Sequence, residues 1–109
     1  MVHSDPNTWT APNWHKDWKD ITSEFDAMKV FSIAILKSID KTTVELDLFE
    51  EGYMKVDVSR AGEKYAELYA NTRETELEYV LYVPFGKVEE GEYHFRDISK
   101  GIEILHRCL

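Results

Sequence analysis

Carboxylates and tyrosines are the chemistry-bearing side chains of this sequence, and they are concentrated in one stretch. Between Val44 and Glu92 thirteen acids stand against five bases, so that stretch carries the whole formal charge of −8. Carboxylates at this density can move protons or hold cations. Proton transfer needs a pair placed in unlike environments, and where acids are this common, finding two close together is expected by chance. Holding a cationic surface needs only that the acids share a face, with tyrosines adding contact area at low entropic cost. The same charge argues against nucleic acid and anionic lipid as direct ligands, because both would be repelled.

The remaining reactive residues form no catalytic or metal-binding set. His3, His15, His94 and His106 are widely separated, and His106 and Cys108 would diverge on a helix. A thiol at Cys108, one residue from the end of the sequence, is hard to hold in a preorganised nucleophilic site. Glu50 with Glu51, and Glu89, Glu90 and Glu92, could hold a hard divalent cation, yet neither group has calcium-loop spacing. The five glycines, at 52, 62, 86, 91 and 101, are isolated, so there is no phosphate-cradling loop. No metal and no cofactor are expected. The single cysteine permits no internal disulfide, which fits a reducing, cytoplasmic setting. No apolar stretch approaches a membrane span, and the polar start is not a secretory signal.

The elements that must position these residues follow from periodicity. Residues 1–12 read as an extended arm broken by Pro6 and Pro12, with Trp9 tucked against its own domain; residues 13–109 read as one domain. Asn13 is the expected cap of a helix whose apolar stripe is Trp14, Trp18, Ile21, Phe25 and Met28. The tighter run Val30, Phe31, Ile33, Ala34, Ile35 and Leu36 predicts a central strand buried on both faces. Thr43 to Glu50 and Tyr53 to Val58 alternate as a hairpin, with Val44, Leu46, Leu48, Met54, Val56 and Val58 inward. Residues 61–72 fit a helix through Ala61, Tyr65, Leu68 and Tyr69. They also fit a strand with Ala66, Leu68 and Ala70 inward and Tyr65, Glu67 and Tyr69 outward. Gly62 and the polar residues after Ala70 favour the strand. Leu77 to Val83 is a strand ended by Pro84, Tyr93 to Phe95 a short one, and Asp97 or Ser99 caps a final helix through Ile98, Ile102, Leu105 and Leu109. The fold class is therefore α+β: a two-layer domain in which an antiparallel meander of four or five strands packs against an N-terminal and a C-terminal helix.

Strand parity converts this order into a surface. The outward set is Glu45, Asp47, Phe49, Tyr53, Lys55, Asp57, Tyr65, Glu67, Tyr69, Glu78, Val80 and Tyr82, carboxylates interleaved with large aromatics. One reading is a solvated face whose acids keep the chain soluble and whose tyrosines suit strands. The other is a docking face for a basic protein, such as a nucleic-acid-cleaving enzyme with a cationic groove, with Glu45, Asp47, Tyr53, Asp57, Tyr65, Glu67, Tyr69, Glu78 and Tyr82 as contacts.

In size, charge, lack of a catalytic set and acid-plus-tyrosine face, the chain resembles bacterial immunity proteins and antitoxins in character, which implies a small inhibitor, monomeric or otherwise, that neutralises a basic partner. With residues 60–72 as a helix, the element order would instead be similar to that of acidic type III secretion chaperones, which implies a dimeric chaperone or adaptor. A third reading is a small enzyme or metal-binding protein with a site assembled from scattered residues. The inhibitor is the reading adopted.

Overall fold

A computed structural model of the protein describes residues 5–10, 22–49, 53–73 and 76–108. Five strands follow one another as an antiparallel meander: β1 (Thr42–Phe49), β2 (Tyr53–Arg60), β3 (Glu63–Arg73), β4 (Glu76–Val83) and β5 (Gly91–Phe95). Helix α1 (Thr22–Ser38) precedes the sheet and helix α2 (Ile98–Arg107) follows it. Phe25, Met28, Phe31 and Ile35 of α1 and Ile104 and Leu105 of α2 share one core with the inward strand residues, so both helices cover the same face. This is the two-layer α+β fold that the periodicities predict.

The strand expected at Val30 to Leu36 is instead the second half of α1. Phe25, Met28, Phe31, Ser32, Ile35 and Ile39 are buried, whereas Val30 and Leu36 are 55% and 39% exposed. Buried positions spaced by three and four residues continue the stripe of Phe25 and Met28 in phase. The apolar residues between them lie on the outer side, where they mask the period and imitate a strand buried on both faces. Packing of the inner stripe outweighs the weak helix propensity of the β-branched residues. The Asn13 cap, Trp14, Trp18, Ile21, the Glu50 to Gly52 connection and Leu109 lie outside the described residues.

Ahead of α1, Asp5 caps a single 3-10 turn, Pro6–Thr8, by accepting the Asn7 N–H at 3.1 Å. Trp9 is 4% exposed within the core, as expected of an indole packed against its own domain, and Lys29 Nζ donates to its carbonyl at 3.1 Å.

The hairpin of β1 and β2 has the expected parity: Val44 faces Val58, and Leu46 faces Val56, all four buried. Arg60 passes to Glu63 through Ala61 and Gly62, at φ 54° and 79°. Two left-handed residues give a two-residue connection the twist that matches its flanking strands. Residues 63–73 are strand, so the helix on which the chaperone-like element order depends is not formed there.

Tyr65 departs from the expected outward set. Val58 pairs with Ala66 while Ser59 pairs with Lys64, which leaves Tyr65 as the extra residue of a bulge. The insertion turns Tyr65 inward beside Ala66; it is 6% exposed, and its hydroxyl lies 3.4 Å from Thr42 Oγ1, also buried. Burial pushes the Tyr65 phenol up, against the pull of the Thr42 hydrogen bond. Simple alternation cannot anticipate a bulge.

At the far end, Asp97 caps α2, its Oδ1 accepting from the Ser99 N–H at 3.0 Å. Gly101 brings α2 against Phe31 and Phe95. Phe31 meets Tyr79 edge-on at 5.0 Å between ring centroids, and Tyr79 stacks on Phe95 at 5.8 Å, so α1, β4 and β5 share one aromatic cluster.

Candidate protein-binding face

Register sets the outward residues in rows. Glu45 pairs with Asp57, Asp57 with Glu67, Glu67 with Tyr82 and Tyr82 with Glu92, a single row across all five strands. On one side of it Asp47 faces Lys55; further along, Tyr69 faces Val80, Val80 faces His94, and Asn71 faces Glu78. Tyr53 enters as a backbone position on β2 opposite Phe49.

Carboxylates placed directly opposite one another destabilise a sheet by a few tenths of a kcal/mol up to about 1, and two lysines answer that. Lys55 Nζ lies 3.3 Å from Asp57 and 3.5 Å from Glu67, and Lys64 Nζ lies 3.6 and 3.4 Å from the same pair. Burial alone would lower the Lys55 pKa, but Asp57 and Glu67 outweigh it and hold the ammonium above its ordinary value. Tyr69 donates its hydroxyl to Glu67 Oε2 at 3.3 Å. Asp57 and Glu67 are therefore committed within the face, whereas Glu45, exposed, and Asp47, half-buried, make no ion pair among the described residues.

A second charge centre stands on the β5 side. His94 Nδ1 lies 2.9 Å from Glu78 and Nε2 2.8 Å from Glu92. Two acceptors on the two ring nitrogens require both to carry protons, which only the imidazolium does. The Glu92 hydrogen bond first, and that of Glu78 second, raise the His94 pKa above 6.5.

Between the two centres the face is concave. Val80, 8% exposed although it points away from the core, forms the floor, and Tyr69 and Tyr82 rise beside it. Glu67, Asn71, Glu92 and His94 complete a cavity of about 470 Å³. Beyond its edge, Phe85 is 90% exposed in the loop after β4. No protein-family model, curated protein or solved structure matches this chain.

The structure thus gathers Glu67, Tyr69 and Tyr82 into one concavity and places Glu78 at its rim through His94. Asp57 lies in the adjoining lysine cluster, Glu45 and Asp47 occupy the β1 edge, and Tyr65 lies in the core. Asn71, Glu92 and His94 were not expected in the site. Parity in the short strand, with Phe95 inward, could have placed Glu92 and His94 outward, but their meeting with Glu78 depends on the β4–β5 register.

No group of three or more His, Cys, Asp or Glu side chains among the described residues could hold a metal ion. Burial pushes the Cys108 thiol up, and its Sγ donates to the Ile104 carbonyl at 3.3 Å, an arrangement that disfavours the nucleophilic thiolate. No described helix is long and apolar enough to cross a membrane.

Proposed function

We propose that this protein is a small inhibitor that binds and neutralises a basic protein partner, such as a nuclease toxin, through the outer face of its sheet. The observation that carries this reading is the row Glu45, Asp57, Glu67, Tyr82 and Glu92, continuous across five strands on the face opposite the helices. Carboxylates at the β1 edge steer a cationic surface toward the sheet. The concavity of Val80, Tyr69 and Tyr82, with exposed Phe85 nearby, offers the aromatic contact area in which binding energy concentrates. Asp57 and Glu67 fix the shape of the face through Lys55 and Lys64. In this reading steering and holding fall to different carboxylates.

Glu45 and Asp47 are the residues on which to test this, because reversing Glu67 or Glu78 would strand a lysine or His94 and disturb the sheet itself. The wild-type chain and a Glu45→Lys/Asp47→Lys variant serve as bait in native lysate, and the association rate with the retained basic protein is then measured against salt. The variant is expected to associate about tenfold more slowly at low salt, with the difference shrinking as salt rises. Equal association rates, or retention of acidic and basic proteins alike, would remove the basis for a charge-steered inhibitor.

A further inference from the structure

The concavity on the outer face has a more specific chemistry than the charge of its surroundings. Its volume, about 470 Å³, falls in the range of pockets that accept ligands. The floor is an aliphatic side chain, two walls are phenol rings, and Glu67 and Glu92 flank Tyr82 on its neighbouring strands. An anionic guest would meet those carboxylates. A purely apolar guest would strip water from them without replacing its hydrogen bonds. A cation with an apolar stem satisfies both parts of the lining.

The two carboxylates are not equivalent. Glu67 already receives Lys55 and Lys64 on Oε1 and Tyr69 on Oε2. Glu92 has its Oε2 on His94, and its side chain is 61% exposed. The guest's donors therefore meet Glu92, beside the Tyr82 ring. A planar fork of N–H groups suits that place better than a point charge, because a guanidinium can stack on the phenol while donating to the carboxylate. Asn71 adds an amide that can accept from an outer N–H.

We infer that the Val80-floored concavity between Tyr69 and Tyr82 seats an arginine side chain of the basic protein partner, its guanidinium stacked on Tyr82 and donating to Glu92. The assignment rests on the proposed function for the source of the arginine, but not for the chemistry of the seat. His94 is a built-in competitor: its imidazolium occupies the same Glu92 and opposes an incoming cation. Glu78 on β4 and Glu92 on β5 face this ring, and Arg96, just past the end of β5, is paired to Glu76 at 2.6 Å.

The test uses the full chain and N-acetyl-arginine methylamide, followed by amide chemical shifts in two-dimensional NMR, with the uncharged citrulline analogue as control. Saturable shifts confined to residues around Tyr69, Val80, Tyr82 and Glu92 are expected, with the citrulline analogue binding about tenfold more weakly. Glu92→Gln and Tyr82→Ala should each weaken binding severalfold and His94→Gln strengthen it, while Glu103→Gln, removing an equal charge on the helical layer, leaves it unchanged. Equal binding of both analogues, shifts scattered over other acids, or insensitivity to Glu92→Gln and Tyr82→Ala would overturn the assignment. The outcomes separate the seat from the inhibitor reading. Specific arginine binding with no basic partner retained from lysate upholds the seat alone, and a partner bound equally by wild type and Tyr82→Ala refutes the seat alone.

Discussion

Replacing Gly101 by alanine puts the contact between α2 and the aromatic cluster to a quantitative test. Gly101 is buried within α2, and a methyl group there would lie 2.6 Å from Phe95 Cε2, 2.7 Å from Phe31 Cε2 and closer still to Phe31 Cζ. Carbon atoms pack best about 3.5–4.0 Å apart, so the overlap is roughly an ångström or more against two rings at once. Neither ring has room to retreat. Phe31 is wholly buried, its centroid lies 5.0 Å from Tyr79 and 5.7 Å from Phe95, and Phe95 is itself stacked on Tyr79. Alanine gains about 1 kcal/mol of helix propensity over glycine, and overpacking costs about 1–3 kcal/mol. A double overlap belongs at the upper end, which leaves Gly101→Ala less stable by about 1–2 kcal/mol. For a domain of this size that lowers Tm by about 5–15 °C. Thermal and urea unfolding followed by circular dichroism measure both quantities. A Phe31→Leu change in the alanine background should cost less than it does in the wild type, because it vacates the space the methyl needs. A variant as stable as the wild type, or more so, would refute the close approach of α2 to the rings.

Tyr65→Phe leaves the buried Thr42 hydroxyl without its phenol partner, and a loss of about 0.5–1.5 kcal/mol is expected in urea unfolding; no loss would mean that the pair contributes nothing. Ala61 holds φ at 54° in the β2–β3 turn, so Ala61→Gly should stabilise by about 0.5–1 kcal/mol, and a lower Tm would contradict the turn geometry. The His94 pKa is raised in the folded state, so its bridge to Glu92 and Glu78 contributes fully below the ordinary value of 6.5 and is lost as pH rises through the higher folded value. The stability difference between wild type and His94→Gln should therefore shrink as pH rises through that window. An imidazole titrating by NMR at or below 6.5 would show that the bridge is absent in solution.

The sheet was legible because alternation is strict where one face is buried. Val44, Leu46, Val56, Val58, Leu68 and Leu81 all point inward as their parity requires. The second half of α1 was not, since Val30, Ile33 and Leu36 put apolar residues on both sides of the helix and hide its period. Phe25, Met28, Phe31 and Ile35 held the signal, read as one stripe rather than as a helix followed by a strand. Of the candidate site, the acids and tyrosines could be assigned to a face from parity alone. Which of them meet could not be known, because Glu67 reaches Tyr82 and Glu78 reaches His94 across strands whose register is set by the connections between them. Tyr65 shows the cost of one inserted residue: it moves an expected contact into the core.

The aromatic cluster has a consequence for how the chain is made. In a meander each strand can pair with its predecessor soon after synthesis, since every loop to be closed is short. Phe31, however, finishes its packing only against Tyr79, Phe95 and the backbone at Gly101, all of which leave the ribosome long after α1. Until β5 and α2 emerge, α1 can rest on the earlier strands, but Phe31 and the part of its apolar stripe that α2 covers stay open at the edge of a sheet that lacks its final strand. A nascent chain stalled near residue 90 would therefore present the surface that chaperones capture, and release would coincide with the arrival of β5 and α2.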